Sequence, residues 1–141
     1  MIPRRVVITG LGALTPIGNT LHGYWEGLLS GASGAGPITL FDASKFKTQF
    51  ACELKNFEPL NFMDRKEVRK YDRFAQYALV TTEEAINDSG LEIEKEDKDR
   101  IGVIWGAGIG GLETFQNEVL NFASGNGTPR FNPFFIPKMI A

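Results

Sequence analysis

The chain is poor in the residues that build reactive centres. It has one cysteine, Cys52, and one histidine, His22. A lone cysteine excludes an internal disulfide, and no second thiol exists to hold zinc. A single histidine leaves a metal site or a local Cys–His pair poorly supplied, so no metal is expected. Charge of one sign is also missing: 15 Lys and Arg against 17 Asp and Glu give a net charge of −2. That balance lacks the broad positive field of a general nucleic-acid binder. No apolar run approaches the roughly 20 residues needed to cross a bilayer, so no membrane span is expected. Arg4 and Arg5 lead directly into Val6-Val7-Ile8, a stretch short of the about 7–15 apolar residues of a signal-peptide core. A cytoplasmic location is the expectation.

What is present is the make-up of a globular domain. The chain is 43% hydrophobic and 23% charged, a usual balance for such a protein, and 141 residues suffice for one domain with its own core. Residues 4–10, RRVVITG, are β-branched and end at glycine, which predicts a buried strand. A tight loop follows, holding Gly10, Gly12, Thr15, Pro16 and Gly18. Asn19 or Thr20 can cap a helix whose Tyr24, Trp25, Leu28 and Leu29 form an apolar stripe, with Gly31 past its end. Residues 30–36 form a small-residue loop, and 46–54 read as an irregular edge or hairpin. Asp64 with Glu67 three residues on has the spacing of a capping box for a short helix. A longer helix is expected over residues 71–89, ended by Gly90. Two adjoining stripes, Ala75-Leu79-Thr82-Ile86 and Phe74-Ala78-Thr81-Ala85, imply that it is broadly buried. Residues 92–100 are a charged connection. A second strand starts at Ile101, a helix spans about 112–123, and residues 124–129 are a loop. The order strand, helix, helix, strand, helix points to an α/β layered domain with a mostly parallel sheet. Two strands alone stabilise a sheet poorly, and the apolar close at residues 133–141 is a poor home for a carboxylate. Continuation of the domain past Ala141 is therefore expected.

Three places could carry chemistry. Residues 106–111, GAGIGG, contain G-x-G-x-x-G between a strand and a helix. A dinucleotide site also needs an acidic residue about 20 positions further on, and residues 124–130 hold none. Gly10-Leu11-Gly12 has Thr15 where the third glycine belongs, and neither loop has the lysine of a P-loop. The GAGIGG glycines can serve tight strand-to-helix packing or a substrate-facing loop, and the residues leave both open. Lys66, Arg69, Lys70 and Arg73 fall within an arc of roughly 100° on a helix. Such a face suits an acidic partner or a phosphate, although the charge pattern alone favours an ordinary solvated face with Asp64, Glu67 and Asp72 beside it. Cys52, with no helix start or histidine beside it to favour a thiolate, reads as a packed small residue, and His22 as a solvent-facing one. The apolar segment 134–140 is either core or subunit interface.

Four segments, residues 4–20, 65–79, 100–111 and 132–141, occur together in an order that resembles the N-terminal part of the β-ketoacyl-acyl-carrier-protein synthases. The resemblance is to the elongating enzymes, most of all synthase II, and covers essentially the whole chain. It implies a thiolase-like α/β fold, layered αβαβα in the complete enzyme, of which residues 1–141 are the N-terminal part of the first domain. It implies fatty acid biosynthesis by decarboxylative Claisen condensation of an acyl-enzyme thioester with malonyl-carrier protein, with no cofactor. The nucleophilic cysteine and two histidines of that reaction have no counterpart here. Cys52 does not stand at the family's catalytic position, and the segment alone is predicted inactive. By the same resemblance Ile109, flanked by Gly108 and Gly110, gates the acyl pocket. Lys66, Arg69 and Lys70 dock the acidic acyl carrier protein, and Phe135 and Ile136 lie near a homodimer interface that closes the partner's pocket. A chain-length-factor-like or carrier-protein-binding module without catalysis, a complementary chain carrying the catalytic residues, and a synthase I or polyketide ketosynthase are the alternatives.

Overall fold

The computed structural model describes residues 4–125 and 128–140. In these, Leu21–Leu29 form α1, Gly36–Pro37 and Phe50–Ala51 form β1 and β2, Arg65–Lys70 form α2, and Arg73–Ser89 form α3; Leu112–Ser124 form α4 and Phe135–Met139 form α5. Short 3₁₀ turns occur at Pro59–Asn61, Ile93–Lys95 and Lys98–Arg100. The chain divides into two compact units. One takes residues up to Phe57 together with Thr81–Glu92, and the other takes Glu58–Val80 and residues from Ile93 onward.

In the first unit, carboxylates of the second half of α3 hold the glycine-rich loop that leads into α1. Glu84 accepts the Ala13 amide at 2.7 Å through one oxygen and the Leu21 amide at 2.7 Å through the other. Asp88 accepts the Leu11 amide at 2.9 Å. The approach is close enough that a Cβ on Gly12 would lie 2.0 Å from the Thr81 carbonyl oxygen, which only glycine tolerates. Thr20 caps α1 by accepting the Gly23 amide at 3.1 Å, and Gly31 follows at φ 68°, as the sequence predicts. β1 and β2 pair antiparallel, Gly36 opposite Ala51 and Pro37 opposite Phe50; β2 falls in the region read as an edge or hairpin, whereas its partner β1 lies at the end of the segment read as a loop. Glu53 secures this ribbon by accepting the Thr39 hydroxyl at 2.7 Å together with the Thr39 and Leu40 amides. The Thr39 hydroxyl, and then its amide, lower the Glu53 pKa from its ordinary 4.5, because both bonds favour the ionised form.

The second unit contains α2, the first half of α3, α4 and α5. Asp64 caps α2, accepting the Lys66 and Glu67 amides at 2.7 and 2.8 Å. Tyr71 is extended, at φ −106° and ψ 140°, so the longer helix begins at Arg73 and not at Tyr71. α3 buries only Gln76 and Val80. Its two expected stripes are mainly half-buried, and Leu79 is exposed. Gly90, at φ 66°, follows the end of α3.

Two expectations are corrected. Residues 4–10 and 101–107 are in no strand, and the mostly parallel sheet is absent among the described residues; the only paired strands there are β1 and β2. Their side chains have the composition of covered strands, yet Val6 is 90% and Ile104 99% exposed. A strand exists through ladder bonds to a neighbour, and among the described residues neither segment is paired with another strand. Cys52 is exposed rather than packed. It directly follows the two-residue β2, with half-buried Ala51 and Glu53 on either side, the alternation of an extended chain. The loop read over residues 124–129 lies partly outside the described residues, as does Ala141.

Candidate functional site

All the residues that the resemblance singles out lie in the second unit. The GAGIGG loop there has a fixed base and an open tip. At the base, Gly111 is buried and its amide donates to the Met139 carbonyl at 3.2 Å. A Cβ at Gly111 would sit 2.2 Å from the Lys138 carbonyl oxygen, so the end of α5 admits no side chain at that position. Gly110 turns the chain at φ 82°. At the tip, Ile109 is 78% exposed, and nothing lies within 4 Å of a Cβ placed on Gly106 or Gly108.

α4 starts at this base with Gly111 as its N-cap, which has no side chain to satisfy the first turn. The missing acceptor comes from elsewhere. Asp72, in the extended link between α2 and α3, is buried and accepts the Thr114 amide at 3.3 Å. It also accepts the Thr114 hydroxyl through the same oxygen. A carboxylate there answers one orphan amide, that of Thr114, and the positive end of the helix. Beside it, Arg73 Nε lies 3.8 Å from Glu113 Oε2, a solvent-screened pair of small energetic weight.

α2 presents Lys66, Arg69 and Lys70 to solvent, and none of the three forms an ion pair among the described residues. A helix of six residues is marginal alone, and two side chains compensate. Asp64 caps its start. The Gln76 amide, on a side chain buried in α3, donates to the Val68 and Tyr71 carbonyls at 3.2 and 3.0 Å. The basic side chains therefore stand on a backbone held at both ends.

Phe135 lies in a run of stacked rings. It stacks on Phe115 at 6.4 Å and on Phe131 at 5.6 Å, and Phe131 stacks on Phe122 at 5.6 Å. Offset stacking at such separations adds to area burial. Phe135 is half-buried by this packing, whereas Ile136 is 57% exposed. In the first unit, His22 Nε2 faces Glu26 Oε1 at 3.2 Å with both side chains exposed. No group of three or more His, Cys, Asp or Glu among the described residues could hold a metal, and no described helix is long and apolar enough to cross a membrane.

Sequence reasoning missed Asp72, Gln76 and Glu84. Asp72 stands in a charged run and was read as a solvent-side neighbour of the basic residues. Gln76 and Glu84 both lie outside the two apolar stripes of α3. Their partners are backbone groups that no residue pattern announces.

Comparison with known proteins places these elements. The model of the beta-ketoacyl synthase N-terminal domain matches residues 3–141. A 3-oxoacyl-[acyl-carrier-protein] synthase 2 from Synechocystis is 49% identical over 138 residues, covering 98% of this chain and 33% of the relative. Among solved structures, the ishigamide ketosynthase/chain length factor superposes with a TM-score of 0.77 at 30% identity, over 98% of this chain and 34% of that one. A type II PKS acyl-carrier protein in complex with its ketosynthase bound to the hexaketide gives 0.74 at 25% identity, over 98% and 35%. The chain spans about a third of the length of the curated relatives it matches. Its fold is thiolase-like, α/β, as the resemblance implies. The chain belongs to the beta-ketoacyl synthase family, to whose N-terminal domain its residues correspond.

Proposed function

We propose that this chain is the N-terminal part of an elongating β-ketoacyl-acyl-carrier-protein synthase of the synthase II type. In this reading it contributes recognition and pocket shape to fatty acid elongation, in a cytoplasmic homodimer. The condensation transfers an acyl group to a cysteine thiolate. Decarboxylation of malonyl-carrier protein then generates the carbon nucleophile that attacks the thioester. With one histidine, exposed and facing Glu26, this chain cannot supply the two-histidine half of that chemistry. Its own contributions are the α2 face, where Lys66, Arg69 and Lys70 meet the acidic carrier protein, and the GAGIGG tip, where Ile109 stands at the acyl pocket with Gly108 and Gly110 as flexible neighbours. Phe135 and Ile136 are the contribution to the dimer surface, Ile136 by contact and Phe135 by shaping the segment.

The observation that carries the reading is the pairing, in one unit of a ketosynthase-family chain, of an exposed basic helix with a glycine loop fixed only at its base. Charge complementarity acts mainly on association rate and salt dependence. Reversal of Lys66 and Arg69 to Glu in the synthase carrying this segment should therefore lower kcat/KM for carrier-protein substrates by about tenfold or more at low salt. The loss should shrink as salt rises. Carrier-protein kinetics equal to wild type at every ionic strength would remove the docking assignment.

A further inference from the structure

The gate loop and the basic helix are joined by a link that neither motif contains. Two residues after Lys70, the last residue of α2, Asp72 turns inward, buried, and caps α4 through Thr114. α4 begins one residue after the GAGIGG loop, and its own N-cap, Gly111, offers no side chain. Two contacts from other elements hold the loop's base: the Gly111 contact with the end of α5 and this borrowed cap. The first fixes the position of the Gly111 backbone. The second fixes the first turn of α4, and so the direction in which the chain leaves Gly110 toward Ile109.

We propose that Asp72 is a positioning residue for acyl chain-length selection. By capping α4 from the link that follows α2, it sets where the Ile109 tip stands relative to the carrier-protein docking helix. This rests on the reading of Ile109 as the pocket gate. Without the Asp72 acceptor, the first turn of α4 frays, Gly110 and Gly108 are free to re-aim, and Ile109 samples positions that no longer discriminate between long and short acyl chains. Asn at position 72 keeps an acceptor oxygen of the same reach, so it preserves the positioning while removing the charge.

The test compares the full-length synthase carrying this segment with its Asp72→Ala, Asp72→Asn, Thr114→Val, Asp72→Ala/Thr114→Val and Ile109→Phe variants. The first readout is the ratio of kcat/KM for a long and a short acyl-carrier-protein substrate; the second is amide exchange over residues 106–115. Loss of a cap corresponds to about a fivefold shift in a local equilibrium. Asp72→Ala should change the ratio by about that factor and speed exchange at residues 112–115, with the double variant no worse, since both substitutions remove one link. Asp72→Asn should stay within about twofold of wild type, the acceptor being retained. A merely structural role lowers kcat/KM for both substrates together and leaves their ratio alone; that result in Asp72→Ala overturns the proposal. Should Asp72→Ala not fold, Thr114→Val decides: it deletes the hydroxyl bond and keeps the amide bond, so a smaller shift of the ratio in the same direction is expected, and an unchanged ratio with unchanged exchange at residues 112–115 overturns the proposal. If Ile109→Phe moves the ratio and Asp72→Ala does not, only this inference fails. If Ile109→Phe leaves it unmoved, the gate reading falls, and this inference with it.

Discussion

The Glu84 carboxylate offers the sharpest test of how the first unit is held together. Its two oxygens accept the Ala13 and Leu21 amides, each at 2.7 Å, in a half-buried setting. Leu21 is the first residue of α1, so Glu84 and Thr20 divide the capping of that helix between them. A hydrogen bond to a charged group is worth about 1.5–3 kcal/mol net. Glu84→Gln keeps one acceptor oxygen and turns an NH₂ toward the other amide, so one bond is lost and a donor faces a donor. The expected cost is about 2 kcal/mol, and Glu84→Ala, losing both bonds, should cost about 3–5 kcal/mol. Native-state amide exchange reads this directly: about 2 kcal/mol corresponds to a roughly 30-fold loss of protection. That loss should be centred on Ala13 and Leu21. Asp88→Asn removes charge from a single, exposed bond to Leu11, and its effect should be smaller, within about 1 kcal/mol. If Glu84→Ala leaves exchange at Ala13 and Leu21 as in the wild type, the carboxylate is not what holds the loop, and the reasoning fails.

Two further outcomes are expected. Ile109→Phe adds bulk at an exposed loop tip and should reduce kcat/KM for long acyl chains by about tenfold while sparing short ones; unaltered chain-length selectivity in a competition assay would contradict the gate assignment. The lowered pKa of Glu53 has a definite sign. A carboxylate depressed on folding contributes stability above its unfolded value, and that contribution disappears as pH falls below 4.5 through the folded value. The β1–β2 ribbon should therefore loosen on acidification in that range, seen as faster exchange of the Thr39 and Leu40 amides. Glu53→Gln should flatten the dependence, and an acid profile that is identical in Glu53→Gln would dismiss this origin.

Much of the helical structure was legible because its signals are local. Thr20 before an apolar stripe, Asp64 before a charged turn, and glycines at positions 31 and 90 each act on backbone groups within a few residues, and the helices begin and end close to where those residues predict. The basic face was readable for the same reason, since spacing on a helix alone places Lys66, Arg69 and Lys70 together. The strands were not. Residues 4–10 and 101–107 have the composition of covered strands, yet a ladder needs a second segment alongside. Cys52 was misplaced because its exposure follows from a two-residue ribbon with no local signature. The site's supports were hidden more deeply: the Asp72 bond to Thr114 joins residues 42 positions apart, and the Glu84 bond to Ala13 joins residues 71 apart.

By itself, the order of residues determined the helix ends, the basic face, the glycine loop, the likeness to the ketosynthases, and the shortage of catalytic side chains. These follow from short-range sterics, capping chemistry and residue identity, none of which depends on what the chain later meets. Only the tertiary structure decided which carboxylates cap which amides, that Gly111 lies against the end of α5, that Phe135 is committed to a ring stack, and that Ile109 stands free. Each of these is a meeting between segments remote in sequence, fixed by the geometry of packing and by the demand of buried polar groups for partners.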